Sequence, residues 1–346
     1  MGKTSAKPPC PLLPYLRSEP LSQSQFMDLV LQHPLYGYYR TQKAVGQDFT
    51  TAPEISQMFG ELLGAWMVGM YEKLGSPPVI HLVELGPGRG TLMADMLRIA
   101  ALSPSFLQAL QVHLVEVNPI LKETQRERLR HPSLHWHEDM KTLPSQGPLL
   151  IMANEFFDVF PTDYYLRRDH ILYERRVKVK EEELSFIFVP LREDLGEDIS
   201  WEESPASLAL LQALGDRLVT QGGALLLIDY GYETGQGDTL QALFEGTPSS
   251  PLTHLGHTDL TCHVNFWALK KTAEKKGLKV FGPTPQGQFL KNLGIHQRTA
   301  FLKAKNPRET GVLMAACERL THPLQMGSLF KVLCIVSPDL RQPEGF

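Results

Sequence analysis

Residues 82–92, Leu-Val-Glu-Leu-Gly-Pro-Gly-Arg-Gly-Thr-Leu, constrain the fold more than any other stretch of the chain. An apolar run carries an acidic residue, Glu84, and then meets three glycines at alternate positions, Gly86, Gly88 and Gly90. A segment with helical spacing, TLMADMLRIAAL, follows directly. Glycines let the backbone turn sharply and approach a ligand where a Cβ would clash. The helix that begins after Gly90 directs its free N–H groups back at the turn. Strand, turn and helix in this order belong to a doubly wound α/β sheet. They place a small nucleotide-like ligand at the carboxyl end of the first strand.

The spacing also selects among nucleotides. A triphosphate cradle needs Gly, four residues, then Gly-Lys-Ser/Thr, and no Lys follows Gly90. The dinucleotide fingerprint Gly-x-Gly-x-x-Gly is one residue longer than Gly86-Pro-Gly-Arg-Gly90, and Pro87 removes an N–H that a pyrophosphate could use. The Glu-x-Gly-x-Gly form resembles the first motif of class I S-adenosylmethionine (AdoMet) methyltransferases. That resemblance implies that the glycines accommodate the methionine part and the sugar of the cofactor.

Composition fits a soluble enzyme. A chain of 346 residues with 42% hydrophobic content holds one large α/β domain with insertions, or two domains. A net charge of −4 without a lysine-rich block gives no electrostatic footprint for nucleic acid. The four cysteines, Cys10, Cys262, Cys317 and Cys334, are scattered, so a disulfide framework or zinc knuckle is not expected. No apolar run approaches the roughly 20 residues that span a bilayer. The first fourteen residues lack the apolar core of a signal peptide and the arginines of a mitochondrial presequence. The expected location is therefore a bacterial cytoplasm, with the mitochondrial matrix as the alternative for a chain whose presequence is missing.

Along the chain, residues 1–20 are Pro-rich and read as extended. The Ser22-x-x-Gln25 capping box predicts a helix carrying Phe26, Leu29 and Val30, stopped by His33-Pro34. Tyr36, Tyr38 and Tyr39 follow, as core packing or as a ligand wall. After the loop 46–56, a second box, Thr51-x-x-Glu54, predicts one long helix from about 53 to 74, with Met58, Leu62, Ala65, Trp66 and Gly69 at helical spacing. Strands are expected near 79–85, 112–117, 133–137, 148–153 and 223–229, with helices over 90–102 and 119–130 and two late strands at 277–281 and 328–336. Four regions follow: a helical N-terminal region 1–78 contributing to the active-site cover, the first half of the cofactor core 79–158, an inserted β-arm on the substrate side 159–206, and the second half 207–346 with a lid at 231–270.

Right-handed crossovers bring every strand's carboxyl end to one edge, so the residues at the tips are the candidates for chemistry. Glu84 and the three glycines occupy the first tip. Glu116 ends the second, where a carboxylate accepts both hydroxyls of a ribose, as in NAD sites as well. Asp139 follows the third strand and suits an adenine amino group. His135 and His137 lack a third ligand nearby, so no metal is expected. The fourth tip, Asn154-Glu155-Phe156-Phe157-Asp158, joins two carboxylates to two aromatic rings. Carboxylates there would grip a guanidinium fork and aim its nitrogen, with Glu155 the first choice and Asp158 the second. A helix-capping role is the structural alternative for both. Asp229-Tyr230-Gly231 forms the fifth tip.

With these motifs in view, the chain resembles the MidA family of AdoMet-dependent methyltransferases, whose members include a mitochondrial complex I assembly factor that methylates an arginine. The markers are HPLYGYY (33–39), DFTTAPEISQMFGE (48–61), ELGPGRGTL (84–92), ANEFFD (153–158), GGALLLIDYG (222–231), DLTCHVNF (259–266) and MGSLFKVL (326–333). Cys262 and Asn265 stand where the family commonly has Ala and Asp. The resemblance implies a seven-stranded sheet with the last strand inserted antiparallel, and AdoMet as cofactor with S-adenosylhomocysteine as product. It also implies transfer to a protein arginine, with a respiratory-complex subunit among the acceptors. It places Glu84, Gly86, Gly88, Gly90, Glu116, Asp139 and Asn154 with the cofactor, Glu155 and Asp158 in catalysis, and Glu54, Asp229 and His263 with the substrate. A homodimer is compatible with it, and neither nucleic acid nor membrane insertion is implied. The readings from other classes are a non-catalytic assembly or interaction protein that keeps the fold, and an NAD-dependent oxidoreductase.

Overall fold

The computed structural model describes residues 10–17, 19–41, 51–235 and 237–346. The extended reading of residues 1–9 and 18, and the part of the 46–56 loop before residue 51, lie outside them, and within the described part of 1–20 the segment Leu13–Leu16 is a short helix instead of extended chain. The chain divides into two compact units. One comprises Met1–Gln42, Phe160–Ala206 and Gly235–Cys262, and the other Lys43–Val159, Ser207–Thr234 and His263–Phe346.

The second unit contains the sheet. Its strands are β1 (Ile80–Leu85), β2 (Leu110–Val115), β3 (Leu134–His137), β4 (Leu149–Asn154), β5 (Gly223–Tyr232), β6 (Lys279–Pro285) and β7 (Phe330–Val336). They lie in the order β6-β7-β5-β4-β1-β2-β3, and a two-residue strand, Val264–Asn265, pairs with the end of β5. The five strands β1 to β5 run parallel, and β7 is antiparallel to both β5 and β6. This is the expected sheet with its last strand inserted in reverse.

The strands read as apolar runs because both faces are covered, as a parallel sheet with crossover helices requires. Successive residues alternate between two cores. Leu82, Leu150, Met152, Leu226 and Val332 join one, with Met58, Leu63, Trp66, Met67 and Met70 of the helix Gln57–Lys73 and Met93 and Met96 of the helix Thr91–Ala100. Val83, Leu85, Ile151, Leu225 and Leu333 join the other, with Leu211, Leu214 and Leu218 of Pro205–Gln221 and Leu269 and Ala273 of Phe266–Lys275. Each large side chain so buried contributes about 1.5–3 kcal/mol.

The order reverses at β1, whose neighbours are β4 and β2. In a doubly wound sheet that switch point opens a crevice outside the strand ends. Register pairs Leu85 with Ala153 and Ile228 with Asn154. The glycine turn, the segment 154–158 and Asp229 are therefore neighbours, whatever their separation in sequence.

The helix expected over 53–74 is two. A short helix, Ala52–Ile55, ends at Ser56, whose backbone is extended (φ −165°, ψ 140°) and whose hydroxyl accepts from Met58 N at 3.2 Å to open Gln57–Lys73. Thr51 makes no side-chain cap, so the second capping box is not formed, and the cap belongs to Ser56. The first box is formed: Ser22 Oγ accepts from Gln25 N and Gln25 Oε1 accepts from Ser22 N.

In the other unit, Asp163–Arg168, Ile171–Lys180, Glu183–Glu193 and Ile199–Glu203 make an antiparallel sheet, joined by the two-residue strand Leu21–Ser22. Tyr38 is buried at 1% exposure and Tyr39 donates to Asp259 Oδ1 at 2.6 Å, whereas Tyr36 is exposed. No helix among the described residues is long and apolar enough to cross a membrane.

Candidate active site

The turn after β1 takes the conformation its glycines allow. Gly86, Gly88 and Gly90 have φ of 63°, 52° and 75°, in the left-handed region that side chains with a Cβ disfavour. A Cβ on Gly86 would lie 2.8 Å from the Phe156 ring, whereas one on Gly88 would meet nothing within 4 Å. The backbone is thus tight beneath Gly86 and open beside Gly88. Thr91, the first residue of the following helix, donates to Glu54 Oε1 at 2.5 Å, and Arg128 contacts both. Glu54 therefore stands against the glycine turn.

Glu84, 3% exposed, has its Oε2 buried without a hydrogen-bond partner among the described residues. Burial, and then the neighbouring Glu116, push its carboxyl up to about 8. Glu116 is also raised by burial, although Asn118 N donates to its Oε1 at 2.8 Å and Gln125 Nε2 to its Oε2 at 3.3 Å. Asp139 is placed differently. Its exposed carboxylate caps its own turn through Lys141 N at 2.9 Å.

At the end of β4, Glu155 adopts φ 51°, a rare conformation for a residue other than glycine. Such strain persists only where surroundings over-determine it, and it clusters at functional sites. The restraints are visible. Glu155 Oε1 accepts from Ala52 N at 3.2 Å and Asn154 Nδ2 at 3.3 Å. Asp229, fully buried, accepts through Oδ2 from the N–H groups of Phe156, Phe157 and Asp158 at 3.1, 2.9 and 3.3 Å, and through Oδ1 from Tyr230 N at 3.0 Å. Its carboxylate shapes the loop 155–158.

Asp158 Oδ2 accepts from Tyr230 Oη at 2.5 Å, while Oδ1 is buried without a partner among the described residues. Burial, and then Asp158, push Glu155 up to about 7; burial pushes Asp158 up to about 6 against the Tyr230 hydrogen bond, which lowers it. Asp229 is raised well above the carboxylate range by burial and by Asp158 and Glu155. His263 meets Tyr230 edge-on, ring centroids 5.5 Å apart, and burial with Lys331 nearby depresses its pKa. No group of three or more His, Cys, Asp or Glu among the described residues is arranged to hold a metal ion.

The structure thus gathers Glu84, the glycines and Glu116 on one side, and Asn154, Glu155, Asp158, Asp229 and His263 on the other. Two residues with no role assigned from the sequence join them. Tyr230 holds Asp158, and Gln125 holds Glu116. Neither has a local sequence signal, because each partner lies on another strand or helix.

Comparisons with known proteins bear on the family and the fold. The family model described as "Putative S-adenosyl-L-methionine-dependent methyltransferase" matches residues 62–284. The mouse protein named "Protein arginine methyltransferase NDUFAF7, mitochondrial" is 34% identical over 357 residues, covering 92% of this chain and 81% of its own. The Drosophila melanogaster homologue is 33% identical, covering 92% and 82%. A COG1565-superfamily protein of Burkholderia thailandensis, crystallised with S-adenosyl-homocysteine, superposes with a TM-score of 0.83 at 23% identity, over 99% of this chain and 97% of that one. At that identity the likeness shows the fold.

Proposed function

Because the chain belongs to the MidA-like family of AdoMet-dependent methyltransferases, we propose that it methylates an arginine side chain of a protein. The observation that carries the proposal is the pairing, across the switch point, of an open glycine turn with the buried carboxyls Glu155 and Asp158. The protein-arginine activity in the names of the relatives supports the acceptor.

The residues of the glycine side fit the cofactor. Room beside Gly88 admits a ligand against the backbone, and the unpartnered Glu84 Oε2 and Asn154 Oδ1 are buried acceptors that a cationic, hydroxyl-bearing ligand satisfies. Glu84 and Asn154 would receive its amino-acid end and Glu116 its ribose hydroxyls. When bound, AdoMet supplies a methyl group on a cationic sulfur, open to in-line attack by a nitrogen.

Glu155 and Asp158 then act on the acceptor. A guanidinium beside them opposes the effect of burial and favours their charged forms. Two charge-assisted hydrogen bonds fix the fork, leaving one nitrogen aimed at the methyl group, so positioning supplies much of the rate. As the nitrogen gains its methyl it must lose a proton. Asp158, which accepts from Tyr230 through Oδ2, would take it through its other oxygen. In this scheme Asp229 positions the loop and does not touch the acceptor.

The test is to incubate the protein with methyl-labelled AdoMet and a protein extract, hydrolyse the labelled product and identify the amino acid. Labelled methylarginine supports the proposal. Label on another residue type, or none above the protein-free control, overturns the arginine assignment.

A further inference from the structure

We propose that Gln125 is the positioning residue of the cofactor site, a buried amide that locks the glycine turn to the ribose-side carboxylate. The inference rests on the reading that AdoMet binds against that turn. Gln125 lies on the helix Pro119–Arg128 and is fully buried. Its Nε2 donates to Gly88 O at 2.7 Å and to Glu116 Oε2 at 3.3 Å, and its Oε1 accepts from Trp136 Nε1 at 2.9 Å. An amide can ordinarily be turned end for end, but here it cannot. An indole N–H only donates, and a carbonyl or an ionised carboxylate only accepts. Trp136 therefore fixes the oxygen on one side, and both amide hydrogens must face Gly88 and Glu116.

Two consequences follow. Gly88 has a left-handed backbone and open space where a Cβ would be. The bond to its carbonyl sets the peptide plane that a ligand would lie against. Glu116, whose other oxygen is held by Asn118 N, is fixed at both ends with lone pairs remaining for hydroxyls. One side chain thus sets the distance between the two halves of the nucleoside site. A polar group with every bond satisfied is the form in which burial is tolerated, and reversing one partner's polarity is costly.

Gln125→Glu tests this with almost no change in shape. At pH 8 the introduced carboxylate would face the Gly88 carbonyl and Glu116 with no hydrogens to give. AdoMet affinity, measured by calorimetry on the full chain, is expected to fall at least ten-fold against wild type. As pH falls to 6 the introduced carboxyl gains a proton and donates once, so the variant-to-wild-type ratio should recover. Taking the ratio removes the titration of groups that residue 125 does not contact. Gln125→Met, which leaves Glu116 without that hydrogen bond and so raises its pKa, should lose no less affinity at pH 6 than at pH 8, and it carries the test if Gln125→Glu does not fold. Equal affinity of either folded variant and wild type, or the same loss for Gln125→Glu at pH 6 and pH 8, overturns the proposal. Absence of AdoMet binding by wild type would instead overturn the cofactor reading beneath it.

Discussion

Tyr230 donates its phenolic hydrogen to Asp158 across 2.5 Å, and the other oxygen of that carboxylate has no partner among the described residues. The bond joins the tip of β5 to the loop after β4, and it favours the ionised form of a carboxyl that burial otherwise pushes up to about 6. Removing it has a definite sign. In Tyr230→Phe the Asp158 pKa should rise, so the acid limb of the pH–rate profile should move to higher pH. At pH 7 label transfer to extract protein should fall about ten-fold, the scale of a hydrogen bond to a charged group. A profile superimposable on wild type would remove Asp158 from proton transfer.

The glycine turn makes the second prediction. Gly88→Val sets a branched side chain in the space beside the backbone, at a φ of 52° that costs about 1–2 kcal/mol for an L-residue. Circular dichroism should show the fold retained, while calorimetry shows AdoMet binding lost. Wild-type affinity in the folded variant would move the ligand away from β1.

A third concerns pH and stability. His81, His113 and His137 form a chain across β1, β2 and β3: His81 Nδ1 and His113 Nε2 are 3.0 Å apart, and His113 Nδ1 and His137 Nε2 are 2.9 Å apart. His113, 3% exposed, is pushed down to about 3 by burial first, and then by His81, His137, His135 and Arg217 around it. A folded pKa below the unfolded value means that the unfolded chain binds more protons between the two. Stability from this residue is complete above about pH 6.5 and is lost as pH falls towards 3, by up to about 1.4 kcal/mol per pH unit. The raised carboxyls Glu84, Glu155 and Asp158 titrate with the opposite sign, so the comparison is with His113→Gln. Urea unfolding at pH 7.5 and 5.0 should show the larger loss in wild type. Equal losses would mean that His113 titrates normally.

The parts legible in the sequence are those fixed by neighbours along the chain. Apolar runs near 79–85, 112–117 and 148–153 read as buried parallel strands, observed as Ile80–Leu85, Leu110–Val115 and Leu149–Asn154, and Gly86, Gly88 and Gly90 announced a sharp turn. The capping box at Ser22 is complete within four residues and was readable for that reason. The break at Ser56 was not, because serine is tolerated within helices and only its extended backbone makes it a cap. Thr51 and Glu54 matched a capping pattern, yet Glu54 is held by Thr91, 37 residues on. Asp229 showed itself as a strand tip, but three of its four backbone donors appear only once β4 and β5 are side by side. Gln125 and Tyr230 were illegible for the same reason. Their roles are set by register, which periodicity does not supply.

Glu155 is held at φ 51° beside Asn154 and Ala52. The decisive measurement is AdoMet affinity and label transfer for wild type and Glu155→Gln on the same preparations. The substitution keeps size and some hydrogen bonding but removes the charge. Affinity should stay within a few-fold while methyl transfer falls by about 10²-fold, the scale of a lost electrostatic contact in a transition state. Transfer at the wild-type rate by Glu155→Gln would contradict the account and leave Glu155 as a structural cap.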